Sequence, residues 1–214
     1  NNMKIAFING SPKTKDSASA SLLQELKSLL EQDGITTSDY NFNKPMLSIE
    51  EMEQMKEHNI LVFAFPLYVD GIPSHLLNCL TQLETFLASV KEKDIKVYSM
   101  VNCGFYEGHQ TKLAMEMMEN WCSKAELKWG QGVGIGAGGM LPMIKNVPLG
   151  HGPKKSLGKA FRELANNILN GTSQDNIFIS PNFPRILYKL AAEMGWRKSI
   201  KANGLKRKDL FTRK

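Results

Sequence analysis

The sequence predicts an α/β fold in which a five-stranded parallel sheet, in strand order 2-1-3-4-5, has helices on both faces. Five strand-like runs alternate with amphipathic helical segments along the chain. The run ILVFAF, residues 60–65, is the most hydrophobic stretch and is expected to form the central strand. Loops of unusual composition follow three of the runs. The alternation predicts three layers, with the sheet enclosed between two layers of helices.

Each predicted strand is a short run with β-branched or aromatic residues, bounded by turn residues. The five runs are Lys4–Asn9, Ile35–Phe42, Ile60–Phe65, Ile95–Cys103 and Leu127–Ile135. Apolar stripes at helical spacing predict the connecting helices. The first helix is expected to begin between Ser17 and Ser19, and a short helix at Ser48, where Glu51 occupies the capping-box position. The last helix before the tail, residues 157–169, is expected to end at Gly171.

The loop after the first predicted strand is rich in hydroxyl groups and leads directly into a helix. It contains Ser11, Lys13, Thr14, Ser17 and Ser19. Hydroxyl donors, backbone N–H groups and the positive end of a helix dipole together favour a phosphate group. A Walker A loop and a dinucleotide loop are excluded by spacing, because both need glycines in addition to Gly10. The alternative is that these serines are ordinary capping and turn residues.

Two further loops follow the third and fourth predicted strands. The first, PLYVDGIPSHLL, places the flat ring of Tyr68 between Pro66 and Pro73, where a planar ligand could lie against it. Alternatively, Tyr68 packs in the core. The second loop, Gly104-Phe-Tyr-Glu-Gly108, is also bounded by glycines. In a 2-1-3-4-5 sheet the first, third and fourth strands are neighbours, and ligands bind beyond their carboxyl ends. The three loops are therefore expected to form one site.

The segment Gly134-Ile-Gly136-Ala-Gly138-Gly139 matches the G-x-G-x-x-G pattern of dinucleotide-binding proteins. No helix is predicted to begin there, because Pro142 follows closely, and no acidic residue stands about 20 positions further on. We therefore interpret it as a loop that borders a pocket.

Three motifs at the ends of these strands resemble the NADPH-dependent FMN reductase family of flavodoxin-like proteins. They are Gly10-Ser-Pro-Lys13, Pro66-Leu-Tyr68 and Asn102-Cys-Gly104-Phe-Tyr-Glu107. The resemblance covers about Met3 to Gly171. It implies a flavodoxin-like three-layer FMN-binding domain over residues 3–171. Residues 172–214 lie outside the family pattern, and their composition predicts a basic, partly helical extension.

The resemblance also implies where the cofactor binds. The phosphate is expected against the first loop, and the flavin ring against the second and third loops. The implied cofactor-binding residues are Ser11, Lys13, Ser17, Ala18, Ser19, Pro66, Leu67, Tyr68, Val69, Gly71, Ile72, Asn102, Cys103, Gly104, Phe105 and Tyr106.

The implied activity is hydride transfer from NADPH or NADH to bound FMN and then to a quinone, a flavin or another small acceptor. No protein side chain is expected to act as a catalytic group, because the flavin carries the chemistry. Two alternatives are a flavodoxin-type one-electron carrier and a flavin-binding sensing module. Shuttle flavodoxins are typically acidic, whereas this chain is nearly neutral outside its tail, so the carrier is disfavoured.

The basic charge of the chain is concentrated in its tail. Residues 189–214 hold nine Lys or Arg and two acidic residues, a net charge of +7, against +6 for the whole chain. Nucleic-acid binding is therefore not expected of the domain. Within the tail, Ile186, Leu187, Leu190 and Met194 form a short apolar stripe. The stripe favours packing on the domain's own surface, but contact of the tail with an anionic membrane, a nucleic acid or a partner subunit stays open.

Other features set the expected environment. The three cysteines, Cys79, Cys103 and Cys122, are far apart and odd in number, which indicates neither a disulfide framework nor a metal site. No run approaches the ~20 apolar residues of a membrane span, and no secretory leader is evident. We therefore expect a cytoplasmic protein. We also expect a homodimer, because the family implies one and because Phe105, Tyr106 and the apolar stripe of the tail are difficult for a single domain to cover.

Overall fold

The computed structural model describes residues 2–13 and 16–202, with side chains up to residue 195. Thr14, which we placed in the phosphate-binding loop, and the basic residues from 203 onward lie outside the described residues. The strands are β1 (Met3–Asn9), β2 (Ile35–Asn41), β3 (Ile60–Pro66), β4 (Lys96–Asn102), β5 (Lys128–Ile135) and β6 (Ile177–Ile179). The α-helices are α1 (Ala18–Leu30), α2 (Ile49–Lys56), α3 (Ser74–Ala88), α4 (Lys112–Lys124), α5 (Lys155–Asn170) and α6 (Arg185–Ala202).

All strand pairs in the sheet are parallel, and the strand order is β2-β1-β3-β4-β5-β6. The predicted order of the first five strands is confirmed, but the predicted number of five is wrong. The sixth strand, β6, pairs with the last three residues of β5 and lies in the segment that we assigned to the extension. A run of three residues, Ile177-Phe178-Ile179, is too short to show the alternation that identifies a strand.

The sheet separates two apolar clusters because successive side chains of a strand point to opposite faces. In β1, Ile5 and Phe7 pack with α1 and α5, whereas Ala6 and Ile8 pack on the other face with α3 and α4. The core residues of β3 are 0–3% exposed on both faces. This double burial explains why the runs of β1 and β3 are apolar almost without interruption.

The predicted helix ends are set by local hydrogen bonds. Ser17 is the N-cap of α1, and its Oγ accepts from Ala20 N at 3.1 Å. The predicted capping box of α2 is confirmed, since Glu51 N donates to Ser48 Oγ and Ser48 N donates to the Glu51 carboxylate. Gly171 ends α5 in the left-handed conformation, also as predicted. These boundaries place the start of α1 directly beside the end of β1.

Glycines in β5 allow the neighbouring elements to approach the sheet closely. A Cβ atom added to Gly134 would lie 2.1 Å from Thr111 Oγ1 and 2.6 Å from the ring of Phe178. Because Thr111 precedes α4 and Phe178 belongs to β6, a side chain at this position would push two elements away from β5. The absence of a side chain at Gly134 therefore lets α4 and β6 pack where they do.

The chain forms two compact units, Asn1–Pro181 and Asn182–Lys214. The first unit contains the six-stranded sheet with α1 to α5, and the second contains α6. Among the helices that the structure describes, none has the length and apolar character needed to cross a membrane.

We predict that Gly134→Ala lowers the free energy of unfolding by about 1–3 kcal/mol, because overpacking a close contact of this kind costs that much. Urea unfolding followed by circular dichroism measures the change. Gly139→Ala is the matched control, since a Cβ at Gly139 meets no atom within 4 Å. Equal stability of the two variants would show that α4 and β6 do not depend on the close approach.

Candidate functional site

A cavity of about 430 Å³ lies at the carboxyl edge of the sheet, where β1, β3 and β4 end. Its volume is typical of a small-molecule site. The loops after these three strands and the long connection after β5 surround it. The lining residues are Ser11, Lys13, Asp16, Ser17, Ala18, Ser19, Pro66, Leu67, Tyr68, Asn102, Cys103, Gly104, Gly138, Gly139 and Pro142.

The buried hydroxyl groups of Ser11, Ser17 and Ser19 keep their hydrogens available for a ligand. Each oxygen accepts a hydrogen bond from the protein. The donors are Lys13 N, Ala20 N and Asn102 Nδ2, at 3.2, 3.1 and 3.1 Å respectively. Within the described ranges, none of the three hydroxyls donates to a protein acceptor. A hydroxyl that already accepts directs its own O–H elsewhere, and here the cavity is adjacent.

The first turn of α1 adds backbone donors to the same end of the cavity. The first N–H groups of an α-helix have no partner within the helix, and they carry the positive end of its dipole. Ala18 and Ser19, the first two residues of α1, both line the cavity. This end of the cavity therefore offers hydroxyl and amide donors to an anion.

Charged side chains at the cavity are few. Lys13 and Asp16 belong to the described lining, and both side chains are exposed. They flank the serine end, because the segment from Ser11 to Ser19 contains both. A lysine in this segment favours an anion, whereas the Asp16 carboxylate limits how much negative charge this end of the cavity can hold.

Two asparagines at strand ends hold the loops in place. Asn9, the last residue of β1, accepts from Ser11 N through Oδ1 at 3.0 Å and donates to Ser17 Oγ at 3.4 Å. Asn102, the last residue of β4, donates to Ser19 Oγ at 3.1 Å. Sequence reasoning included Asn102 but missed Asn9, which is only 6% exposed and is not part of the cavity lining.

The start of α3 packs against the beginning of the first loop. His75 Nε2 lies 3.0 Å from the carbonyl oxygen of Gly10, so the ring donates to that carbonyl. A Cβ at Gly10 would lie 2.6 Å from the side chain of Leu76 and 3.2 Å from Phe65 Cβ. The glycine is needed for this close approach, and the contact fixes where the serine-rich loop begins.

The second predicted loop turns back sharply at Tyr68. Tyr68 and Gly71 exchange two backbone hydrogen bonds of 2.9 and 3.0 Å around a two-residue turn. The residues inside the turn, Val69 and Asp70, have φ angles of +43° and +61°. The turn exposes Val69 completely, while Ile72 is buried in the core. Of this group the structure places Pro66, Leu67 and Tyr68 at the cavity, but not Val69, Gly71 or Ile72.

The third predicted loop also contributes only its first residues. Cys103 and Gly104 line the cavity, whereas Phe105 is 53% exposed outside it. The Tyr106 hydroxyl donates to the carbonyl oxygen of Pro181 at 3.2 Å, which directs that ring away from the cavity and towards the end of the first unit. The expected pair Phe105 and Tyr106 is therefore not part of the cavity lining.

Four lining residues were missing from the predicted site: Asp16, Gly138, Gly139 and Pro142. The last three belong to the connection after β5, which we expected only to border a pocket. Gly138 approaches Asn102 closely, because a Cβ there would lie 2.6 Å from Asn102 Oδ1. The signal in the sequence was the glycine-rich segment itself, but glycines carry no side-chain chemistry that would assign them to a site.

Metal binding has no visible basis in the described part of the chain, where no group of three or more His, Cys, Asp or Glu side chains could hold an ion.

The cysteines are all buried and free. Burial raises the pKa of the Cys103 thiol, and its Sγ lies 3.6 Å from the carbonyl oxygens of Phe105 and Glu107. Cys103 is therefore a neutral thiol at neutral pH.

Comparisons with known proteins agree on the fold. The family described as flavodoxin-like fold matches residues 3–78. None of the curated proteins compared matches the sequence. The solved structures include an NADPH-quinone reductase from P. pentosaceus, which is 14% identical with a TM-score of 0.54 and covers 76% of this chain and 98% of its own.

Two other solved structures are similar to the same degree. The flavodoxin of Streptococcus pneumoniae TIGR4 is 10% identical, with a TM-score of 0.54, over 78% of this chain and 99% of its own. A flavone reductase is 13% identical, with a TM-score of 0.57, over 81% of this chain and 66% of its own. The flavodoxin-like fold expected from the sequence motifs is thereby confirmed.

We predict that Cys103 reacts slowly with iodoacetamide at pH 8, because a raised pKa lowers its thiolate fraction and only 3% of the residue is exposed. The rate should keep rising beyond pH 9, the ordinary pKa of a thiol. Peptide mass spectrometry of the labelled protein measures it. The control is the thiol introduced by Ser123→Cys on the exposed end of α4. Comparable rates for both thiols would contradict the burial of Cys103.

Proposed function

We propose that the protein is an FMN-dependent oxidoreductase that transfers hydride from NADPH or NADH to FMN and passes the electrons to a quinone, a flavin or another small acceptor. The observation that carries the proposal is the set of three serine hydroxyls whose oxygens all accept from the protein. Three O–H donors thus remain at one end of a cavity of about 430 Å³.

The donors fit a phosphate monoester. A phosphate dianion has three terminal oxygens that accept strong hydrogen bonds, and the helix N-terminus favours negative charge. Ser11, Ser17 and Ser19 supply hydroxyl donors, the first residues of α1 supply amides, and Lys13 supplies a cation. One such group occurs in FMN. The pyrophosphate and adenosine of FAD would need a second set of donors, whereas among the described lining residues every hydroxyl other than that of Tyr68 belongs to the segment from Ser11 to Ser19.

The remaining lining fits a planar ring. Pro66, Leu67 and Tyr68 form an apolar side, and Tyr68 is 46% exposed, so its ring is accessible for stacking. The backbones of Cys103 and Gly104, with the glycines after β5, also line the cavity, and the glycines can approach a ring without steric hindrance from side chains. The proposed orientation therefore places the phosphate beside α1 and the ring beside β3 and β4.

When bound, FMN supplies the hydride acceptor and the electron donor. The chain's own residues bind and orient it: serines and the helix start hold the phosphate, and Tyr68 limits access to the ring. Lys13 and Asp16 are in the phosphate-binding segment, and Cys103 is a neutral thiol. We propose that Tyr68 stacks on the ring, and no step of the proposed hydride transfer needs a proton from a side chain.

A one-electron carrier is the second candidate, because similar structures include a flavodoxin as well as two reductases. Charge favours the reductase. Carriers of this kind dock through complementary electrostatic surfaces, and residues 1–181 have a net charge of only −2. A nearly neutral domain provides little steering towards a basic protein partner, whereas it presents no electrostatic barrier to small acceptors.

We predict that the protein binds FMN more tightly than FAD, and that Ser19→Ala weakens FMN binding by roughly tenfold or more. Loss of one hydrogen bond to a charged group costs about 1.5–3 kcal/mol. Quenching of flavin fluorescence during titration gives both dissociation constants. Ser123→Ala is the control, because Ser123 is exposed at the end of α4.

Thermal unfolding of each variant separates lost binding from lost stability. Tight binding of FAD, or no binding of FMN, would refute the proposed site. An unchanged FMN affinity in folded Ser19→Ala protein would remove the phosphate assignment of this hydroxyl.

We also predict that NADPH or NADH bleaches the flavin absorbance of the FMN-loaded protein in one two-electron phase. The phase should be slower when the hydrogen that the nucleotide transfers is replaced by deuterium. Tyr68→Ala should weaken FMN binding or slow this phase by about threefold to tenfold, the expected effect of one lost aromatic contact.

Cys103→Ala should keep most of the activity, since this thiol is neutral and no step uses it. Anaerobic stopped-flow absorbance measures the rates. Failure of both nucleotides to bleach the flavin would favour the carrier.

A further inference from the structure

The helix α6 presents an apolar stripe to solvent. Ile186, Leu187, Leu190 and Met194 are 76, 48, 50 and 65% exposed, respectively. Three of them, Ile186, Leu190 and Met194, follow each other at intervals of four residues, so they lie along one side of the helix. Exposed aliphatic side chains scattered singly are ordinary, but a stripe of four on one helix indicates a surface that binds something.

The unit that contains this stripe is strongly basic. Residues 182–214 include ten Lys or Arg and two acidic residues, which gives +8, whereas residues 1–181 carry −2. The charge separation is large for a chain of this length. The apolar stripe and the basic charge occur within the same 33 residues, 182–214. A partner that binds this unit must therefore combine an apolar interior with a dense negative surface.

Three occupants can be compared on this basis. A second copy of the chain would bring another +8 unit close to the first, and its remaining residues offer only −2 in compensation. A nucleic acid would satisfy the charge, but its backbone offers no apolar phase for the aliphatic side chains. An anionic bilayer satisfies both, since aliphatic side chains enter the acyl boundary while cations remain among the headgroups.

We propose that the C-terminal unit, Asn182–Lys214, binds the surface of an anionic lipid bilayer, with the apolar stripe in the first half of α6 entering the interface. Stable attachment to a membrane surface usually needs two signals, and here they are the apolar stripe and the basic residues. The long side chain of Lys189, which is three residues after Ile186 and directly before Leu190, can extend its ammonium group to the headgroups. The proposal is independent of the flavin, and binding is measured without any activity assay.

The test is sedimentation of the full-length protein with vesicles. Vesicles of phosphatidylglycerol and phosphatidylcholine should pellet the protein, whereas pure phosphatidylcholine should not. Raising the salt from about 0.05 to 0.5 M should release much of it, because exposed charges are then screened. The apolar variant Ile186→Ser/Leu190→Ser should bind anionic vesicles at least about tenfold more weakly, since each buried aliphatic side chain contributes substantially.

A charge variant, Lys206→Gln/Arg207→Gln/Lys208→Gln, should also bind at least about tenfold more weakly, as each cation near an anionic surface contributes about fivefold. Two matched controls should bind like the wild type. Met46→Ser/Ile49→Ser removes two side chains that are 76 and 73% exposed on the first unit. Lys44→Gln/Lys91→Gln/Lys145→Gln removes three exposed lysines of that unit.

Several outcomes would overturn the proposal. No pelleting with anionic vesicles would refute it directly. Equal loss of binding in the control variants would show a general effect of charge or hydrophobicity. If light scattering showed a dimer that Ile186→Ser/Leu190→Ser dissociates, while vesicle binding was absent, the stripe would belong to a second copy. Binding to duplex DNA without binding to vesicles would assign the basic residues to nucleic acid.

Discussion

The side chain of Asn102 connects three elements around the cavity, namely the start of α1, the end of β3 and the connection after β5. Its Nδ2 donates to Ser19 Oγ at 3.1 Å and to the Phe65 carbonyl oxygen at 3.4 Å, so both amide hydrogens are used. Its Oδ1 faces Gly138, where a Cβ would lie only 2.6 Å away. Its own carbonyl accepts from Leu67 N at 2.7 Å. Aspartate would lose the bond to the Phe65 carbonyl, because a carboxylate has no hydrogen to donate, and it would accept the Ser19 hydroxyl hydrogen that is otherwise available to a ligand.

The loops after β4 and β5 are joined by backbone hydrogen bonds, which fixes the other side of the cavity. Ala137 N donates to the Phe105 carbonyl and Gly138 N to the Cys103 carbonyl, at 2.6 and 2.7 Å. Side chains would prevent this, since a Cβ at Gly136 would lie 1.9 Å from the carbonyl oxygen of Tyr106. The glycines that match a dinucleotide-binding pattern in the sequence thus serve a different physical purpose, namely the close approach of two loops.

The parts of the fold that the sequence predicts are those with long periodic signals. Five strands and the capped starts of α1 and α2 follow from buried apolar runs and from Ser17 and Ser48. The sixth strand does not, because three residues cannot show a period. Its pairing also depends on hydrogen bonds between Asn176, directly before β6, and residues of β5 that are more than 40 positions earlier in the sequence. Asn176 Oδ1 accepts from Gly132 N at 2.8 Å and from Trp129 Nε1 at 3.2 Å, which holds β6 against β5.

The site divides in the same way. The serine-rich loop and the first residues after β3 and β4 were identified because their side chains carry chemistry or because a strand ends there. The sequence does not show how many residues of each loop line the cavity, because that number depends on where the chain turns away from it. The two-residue turn after Tyr68 places Val69 in solvent, and the hydrogen bond from Tyr106 to Pro181 directs that ring elsewhere. Asn9 was missed because its role is to hold the serine-rich loop.

Backbone strain gives an argument for function that is independent of the cavity and of its donors. Among the described residues, five that are not glycine have positive φ angles: Asp16, Val69, Asp70, Glu126 and Ala137. Four of them lie in the loops after β1, β3 and β5, at the edge of the sheet where the cavity is. Each costs about 1–3 kcal/mol, and for a β-branched residue such as Val69 the conformation is especially unfavourable. The tight turn requires positive φ angles at Val69 and Asp70, but turn geometry alone gives no reason to place strained residues in three loops at one edge of the sheet. A ligand-binding role gives such a reason. Loops that must present donors in a fixed arrangement are held by their surroundings, even in conformations that their own residues disfavour.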